Sequence, residues 1–141
     1  MKIYLASFFE EHNFGSGRLI SVAQGQKPRL VQINLIYEGL CPSQDISRKY
    51  YREKQEFGIE VAGKSFQDLY SQQLQSYLDE AKIEAEKQGK TLVELLDLKE
   101  GDTLLSWERA GRTNYRNTVA SQLKKIGYEV FLEGVKYEEV L

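Results

Sequence analysis

The sequence predicts a single α/β domain, spanning residues 1–141, in which helices pack on a mixed or mostly parallel sheet. Short β-rich apolar segments alternate along the chain with segments of helical periodicity. The last part has the order strand, loop, helix, strand, and the right-handed crossover of such a βαβ unit makes its two strands parallel. A chain of 141 residues without an internal repeat or a Pro/Ser-rich linker suits one domain.

The first part of the chain is predicted to contribute three strands separated by polar loops. Asn13, Gly15 and Gly17 punctuate the first loop, and the sequence QGQKP forms the second. In the third strand apolar residues alternate, which indicates one well-buried face. The strands are Lys2–Phe9, Arg18–Ala23 and Leu30–Tyr37, and the intervening loops are Glu10–Gly17 and Gln24–Pro28.

Three helices are predicted to follow the segment Glu38–Pro42. Ser65 followed by Asp68 resembles a capping box, and Thr91 with Glu94 forms a regular one. Apolar residues behind Ser65 recur at spacings of three and four, so this is the clearest amphipathic helix. The helices run from Ser43, as N-cap, to about Gln55, from Ser65 to Gln88-Gly89, and from Thr91 to about Leu98.

The predicted βαβ unit follows a turn at Gly101-Asp102. Its helix is capped by Thr113 and ended by Gly127. After the final strand we expect only a polar tail. The unit consists of strand Thr103–Trp107, loop Glu108–Arg112, the helix from Thr113 to Lys125, and strand Tyr128–Leu132. Because ligands of open α/β sheets gather outside the carboxyl ends of strands, the loop after Trp107 is the first place to expect a site.

Charge and composition exclude several classes of protein. Nineteen Lys and Arg against 21 Asp and Glu give a net charge of −2, which argues against bulk DNA or RNA as the main partner. One cysteine, Cys41, excludes an internal disulfide framework, and a single His excludes the usual Cys/His zinc site. No apolar run approaches the roughly 18–20 residues that cross a bilayer, and the opening residues have no pattern of a secretory signal. We therefore expect no metal, no cofactor and no membrane.

The segment SWERAGRTNYR, from Ser106 to Arg116, is the strongest candidate for a binding site. Arg109, Arg112 and Arg116 lie within eight residues, and the stretch from Arg109 to Lys125 has five basic residues and no acidic one. A helix starting near Thr113 presents free N–H groups and a positive dipole end, which bind phosphate. Arginine adds forked donors that match phosphate oxygens. The alternative is that these arginines pair with acidic residues such as Glu108, Glu129 or Asp102.

Neutral groups in the same segment extend this prediction. Asn114 and Tyr115 supply hydrogen bonds and a ring for stacking, and Ser106 stands at the end of the preceding strand. The segment has neither the Gly-Lys-Ser/Thr element of a Walker loop nor the three-glycine dinucleotide fingerprint.

The loop after the first strand is a second candidate. If that strand is parallel to Thr103–Trp107, the loop lies at the same sheet edge. There Phe9 and Phe14 could stack on a base, and Arg18 could add a fourth guanidinium group. The alternative is that Phe8 and Phe9 are core residues and that Phe14 pins the loop.

Bond-breaking chemistry has little support in the sequence. Ser106 and Ser121 have no histidine other than His12 to serve as a base, and Cys41 is expected to be a small buried residue. His12 lies beside Glu10 and Glu11 in a loop, where a solvated segment explains all three. The residues favour a binding protein over an enzyme.

The run GDTLLSWERAGRTNYRNTVASQLKKIGYEVFLEG resembles the C-terminal half of a large family of small uncharacterised bacterial α/β domains, and the segments KIYLASFF and GLCPS resemble its beginning and middle. That family has a Cys-x-Glu-x-x-Gly loop and a Cys-His-Arg element. Glu108, Gly111 and Arg116 match the pattern, whereas Ser106 and the pair Asn114-Tyr115 replace the cysteines and the histidine. The missing groups imply that any chemistry they perform in the family is lost here.

The length, the missing Cys and His groups and the arginine-rich loop are also similar to the first-described type of phage Thoeris anti-defence sponge proteins. Members of that family sequester cyclic ADP-ribose isomers made by bacterial TIR-domain enzymes, and they assemble as homo-oligomers. The resemblance implies a phage protein of the host bacterial cytoplasm that binds a cyclic nucleotide without cleaving it.

Two other functions stay open at the level of the sequence. One is a nucleotide- or nucleoside-processing enzyme of the uncharacterised family, with Glu108 as its acid–base candidate. The other is an interaction module that docks through its tyrosine-rich helices.

Overall fold

A six-stranded sheet with helices packed on it forms the body of the molecule. The computed structural model describes residues 1–23, 32–106 and 115–138. The strands are β1 (Lys2–Ser7), β2 (Leu19–Ser21), β3 (Leu35–Ile36), β4 (Thr103–Ser106), β5 (Glu129–Leu132) and β6 (Val135–Lys136). The α-helices are α1 (Gln44–Phe57), α2 (Ile59–Gln88), α3 (Leu92–Leu96) and α4 (Tyr115–Ile126), and single 3₁₀ turns cover Glu11–Asn13 and Glu38–Leu40.

The sheet is mostly parallel, as the sequence predicts. Its strand order is β3-β2-β4-β1-β5-β6, and only the pairing of β5 with β6 is antiparallel. The predicted βαβ unit is confirmed, because β4 and β5 both run parallel to β1, which lies between them. The carboxyl ends of β4, β1 and β5 therefore meet at one edge of the sheet, which we call the carboxyl edge.

The two faces of the sheet bury different sets of side chains because alternate residues of a strand point to opposite faces. Ile3, Leu5 and Leu104 belong to the main core, where they are packed with Leu74 of α2 and Val119 of α4. The opposite face has a smaller cluster, in which half-buried Phe14 packs against four buried residues. These are Ala6, Phe8, Ala23 and Leu105.

Helices α1 and α2 form a hairpin around Gly58. This glycine has φ 93°, a conformation that residues with a Cβ rarely adopt, so the chain can reverse there. The rings of Tyr50 and Phe66 lie 5.5 Å apart across the hairpin. The sequence-based start of α2 at Ser65 is wrong, since the helix begins at Ile59, six residues earlier. The predicted N-cap Ser43 is confirmed, and its hydroxyl accepts a hydrogen bond from the backbone N–H of Ile46.

Three other expectations are confirmed or corrected. The capping box of Thr91 and Glu94 is present at α3, which ends at Leu96. The long α2 ends at Gly89 in the left-handed conformation, with φ 67°, as predicted. Of the predicted strand Leu30–Tyr37, only Leu35–Ile36 pairs within the described residues.

The expected polar tail instead contains a strand. Glu133, with φ 54°, and Gly134, with φ 81°, form a two-residue turn that folds β6 back on β5. Two positive φ values are the geometry of a type I′ hairpin turn. Residues 133 and 134 therefore lie just beyond the carboxyl edge.

Helices that would be long and apolar enough to cross a membrane are not found in the described part of the chain.

Candidate functional site: the carboxyl edge of the sheet

Two serine hydroxyls mark the carboxyl edge. Ser7 ends β1, Ser106 ends β4, and the two residues are direct partners in the parallel register. Both lie on the same face as Leu5 and Leu104, which is the face that α4 covers. Both residues are buried, with exposed fractions of 0% and 1%. Further back along the same face these strands carry the apolar residues Leu5 and Leu104, and each strand then ends in a serine. The sequence thus places two polar groups at this edge.

The hydroxyls of these serines differ in their hydrogen bonds. The Oγ of Ser7 accepts a hydrogen bond from the backbone N–H of Phe9 at 3.2 Å. The Oγ of Ser106 has no hydrogen-bond partner among the described residues. A buried hydroxyl without a partner costs about 1–3 kcal/mol, so the position of Ser106 calls for an explanation such as a water, an ion or a ligand. Ser106 is one of the residues that the sequence assigns to ligand binding.

Arg116 is a buried cation at the same edge. It lies in the first turn of α4, and its side chain is only 4% exposed. One guanidinium nitrogen donates a hydrogen bond to the Oε1 of Glu133 at 2.6 Å. The first turn of a helix also carries backbone N–H groups that have no partner within the helix, together with the positive end of the helix dipole. Arg116 therefore adds its charge where a helix already favours anions.

Glu133 is a site residue that the sequence analysis misses. It lies in the turn between β5 and β6, and its backbone N–H donates to the carbonyl of Leu5 at 3.0 Å. The side chain is 28% exposed, much more than that of its partner Arg116. A signal for it was present, because Glu-Gly between two apolar segments resembles the Asn-Gly and Asp-Gly pairs of two-residue hairpins.

The two phenylalanines predicted to stack on a base occupy different places. Phe9 follows β1 at the carboxyl edge, and the residue is 50% exposed. Phe14 packs against the smaller core cluster, which agrees with the alternative that it pins the loop. The structure does not test either residue for ligand binding, but it brings only Phe9 to the carboxyl edge.

Arg18 lies at the opposite edge of the sheet from Arg116, although the sequence groups the two together. It directly precedes β2, and its Nε and one Nη donate to the two carboxylate oxygens of Asp102 at 3.2 and 2.6 Å. The reason is that the loop after β1 returns to the amino ends of the strands, where the N–H of Gly17 donates to the carbonyl of Gly101. Arg18 therefore lies at the amino end of β4, whereas Ser106 lies at its carboxyl end, and Arg18 does not belong to the carboxyl edge.

Asp102 explains why Arg18 is held at that edge. The carboxylate is 1% exposed, and burial alone would raise the pKa of Asp102. Hydrogen bonds from the Arg18 side chain and from the backbone N–H groups of Lys99 and Arg18 outweigh burial, so the pKa lies below its ordinary value. Arg18 and Asp102 therefore form a structural ion pair. The alternative stated for the arginines of the 106–116 segment, pairing with an acidic residue, holds for Arg116, although its partner is Glu133 and none of the three acids named.

Several predicted site residues lie outside the described part of the chain. They are Arg109, Arg112 and Asn114, together with the acid–base candidate Glu108 and the helix cap Thr113. For Tyr115 the structure gives only its position at the start of α4. Their roles stay predictions, and the chain geometry fixes only where their segment begins and ends, at Ser106 and Tyr115.

Other reactive groups are poorly placed for chemistry. Burial raises the pKa of the Cys41 thiol to about 11, which keeps it protonated and unreactive at neutral pH. No cluster of three metal-ligating side chains occurs among the residues that the structure describes. A groove of about 440 Å³ between α2 and α4 contains none of the predicted site residues.

Comparison with known proteins does not identify the chain. A scan against protein-family models found no match, and searches among curated proteins and solved structures found none either. The two family resemblances of the sequence therefore stay predictions, and the function has to be inferred from the residues of the carboxyl edge.

Proposed function

We propose that this protein binds a small phosphate-bearing nucleotide of the cyclic ADP-ribose class at the carboxyl edge of its sheet and holds it without cleaving it. The observation that carries the proposal is that one edge of the sheet holds both a buried cation, Arg116, and a buried hydroxyl, Ser106, which has no partner among the described residues. Both flank the segment 107–114, whose Arg109 and Arg112 are the other predicted phosphate ligands.

The chemistry of the ligand follows from the groups around this edge. Arg116 and the first turn of α4 offer N–H donors and positive charge, which suit phosphate oxygens. Ser106 can donate to a phosphate or accept from a ribose hydroxyl. Phe9, a half-exposed aromatic residue at this edge, suits contact with an adenine base. A nucleotide uses all three kinds of contact, whereas inorganic phosphate uses only the first.

Sequestration without cleavage is favoured by the reactive groups that the chain contains. The single His12 lies in the 3₁₀ turn that follows β1, and the single Cys41 is buried with its pKa raised to about 11. His12 and Cys41 therefore do not supply the base and the activated nucleophile that covalent cleavage at the carboxyl edge would need. On this proposal the protein acts in the host bacterial cytoplasm as a phage anti-defence sponge against TIR-based Thoeris signalling. It works as a homo-oligomer, because a small domain needs a subunit seam to enclose a nucleotide.

The proposal is tested by recovering the ligand after binding. The protein is incubated with a cyclic ADP-ribose isomer, freed of unbound ligand by gel filtration, and heated, and the released material is analysed by liquid chromatography and mass spectrometry. We expect intact ligand from the wild-type protein and much less from Arg116→Gln, with Lys124→Gln on the same helix as a matched control. Release of altered ligand would favour an enzyme, and an absence of retained ligand would contradict binding of this class.

A further inference from the structure

The ion pair at the carboxyl edge is asymmetric in its exposure. The Arg116 side chain is 4% exposed, whereas the Glu133 side chain is 28% exposed, and their closest atoms are 2.6 Å apart. A buried guanidinium needs a negative partner, because leaving it unpaired is strongly destabilising. The Glu133 carboxylate already touches water, so solvent can replace its own lost contact, and the cost of separation falls on Arg116 unless another anion takes the place of the carboxylate. Only the glutamate is therefore free to move.

The backbone of Glu133 gives a second and independent observation. Its φ of 54° is a conformation that Gly, Asn and Asp tolerate far better than glutamate. The neighbouring Gly134, with φ 81°, is the residue type that this turn prefers. The turn by itself therefore does not explain why glutamate occupies position 133. Its contact with Arg116 does, and a residue held in an unfavourable conformation commonly has a function.

We infer that Glu133 is an internal competitor for the anion site, which holds Arg116 when no ligand is bound and is displaced by the phosphate of the ligand. This inference rests on the proposed function. The backbone of Glu133 is fixed by its hydrogen bond to Leu5, whereas the side chain has three rotatable bonds that can carry its carboxylate into solvent. Glu133 thereby sets the selectivity of the site, because only a ligand that binds Arg116 better than a carboxylate displaces it. Phosphate monoesters and pyrophosphate groups satisfy this condition, since they carry more charge and more acceptor oxygens than a carboxylate.

The inference is tested by removing the charge of Glu133 and titrating with inorganic pyrophosphate. Glu133→Gln keeps an oxygen that can accept from Arg116 but no longer competes as an anion. Glu133→Asn also removes the charge, and asparagine suits the positive φ of the turn, so it provides a second variant with less backbone strain at this position. The matched control is Glu129→Gln, which removes a carboxylate that pairs with Lys136 on the same hairpin at 3.6 Å.

We expect both Glu133 variants to bind pyrophosphate about tenfold more tightly than the wild-type protein, which corresponds to about 1.4 kcal/mol, and Glu129→Gln to bind like the wild type. Isothermal titration calorimetry measures the affinities, and the rise in Tm on adding pyrophosphate measures the same linkage independently. Equal or weaker binding by both Glu133 variants would overturn the inference. If the wild type retains a cyclic ADP-ribose isomer but the Glu133 variants bind pyrophosphate no more tightly than the wild type, the proposed function stands and the inference alone fails. If neither wild type nor variants bind either probe, both fail.

Discussion

Replacing Asp102 with asparagine should destabilise the protein substantially, because this carboxylate accepts four hydrogen bonds. One carboxylate oxygen of Asp102 accepts from the backbone N–H and the Nε of Arg18, at 3.1 and 3.2 Å. The other oxygen accepts from an Arg18 Nη at 2.6 Å and from the backbone N–H of Lys99 at 2.8 Å. The carboxylate is 1% exposed, so water does not replace a lost contact.

The expected loss can be worked from these contacts. Asparagine keeps one oxygen, which serves the first two donors, but its NH₂ group faces the Arg18 Nη and the N–H of Lys99. Two hydrogen bonds to a charged acceptor are lost, and each contributes about 1.5 kcal/mol, for a total of about 3 kcal/mol. The 28% exposure of Arg18 allows its guanidinium to rehydrate, which keeps the loss at the low end of the range for broken buried ion pairs.

Urea unfolding at pH 7, followed by circular dichroism, measures this loss. With a slope of about 2 kcal/mol/M, the midpoint should fall by about 1.5 M. The matched control is Asp97→Asn in the same loop, because Asp97 is exposed and its φ of 55° suits asparagine. We expect that control to stay within about 0.5 kcal/mol of the wild type. A loss of less than about 1 kcal/mol for Asp102→Asn would refute the reasoning from the four hydrogen bonds.

The same carboxylate predicts a pH dependence. The pKa of Asp102 is lower in the folded protein than its ordinary value of about 3.9, so the folded state binds the proton less well than the unfolded state. The stabilisation is therefore complete above about pH 4 and is lost as the pH falls through the folded pKa. The difference in stability between wild type and Asp102→Asn should narrow below about pH 4, and a constant difference down to about pH 2 would contradict this assignment.

Two further predictions concern packing and capping. Gly39→Ala should destabilise the protein by about 1–3 kcal/mol in urea unfolding, because a Cβ at position 39 would overlap the ring of Tyr77. The hydroxyl of Tyr77 donates to Tyr37 at 3.2 Å, which holds the ring in place. Unchanged stability would show that this ring moves freely. Thr91→Ala should cost about 1 kcal/mol because it removes the hydroxyl that accepts from the N–H of Glu94, and Thr91→Ser should restore most of that stability.

Periodicity and caps predicted most of the fold, and the misses have physical causes. The start of α2 was placed at Ser65 because Ser65 and Asp68 resemble a capping box, yet the helix already begins at Ile59 and Ser65 lies inside it. The boundary between α1 and α2 lies at Gly58, which has a φ of 93°. No sequence pattern distinguishes this glycine uniquely as a helix boundary. Strand β6 was missed because two residues cannot show a period of two.

The candidate site was predicted in part. The sequence placed Ser106 and Arg116 at a junction of strand and helix, and the structure brings both to the carboxyl edge. The sequence analysis also grouped Arg18 with them, because Arg18 ends the loop that follows the first strand. The sequence does not reveal that this loop returns to the amino ends of the strands before it reaches Arg18. Glu133 was missed for a related reason, since its contact with Arg116 spans 17 residues and depends on the turn after β5.

The central claim is that the anion site lies at the carboxyl edge around Arg116, and calorimetric titration with cyclic ADP-ribose tests it most directly. Three proteins are compared, namely the wild type, Arg116→Gln and Arg18→Gln, with circular dichroism as the check on folding. We predict that Arg116→Gln lowers the affinity by between about tenfold and a hundredfold, the value of one hydrogen bond to a charged group. Arg18→Gln should keep the wild-type affinity while losing stability, because its partner is Asp102. Wild-type affinity in folded Arg116→Gln would contradict the claim.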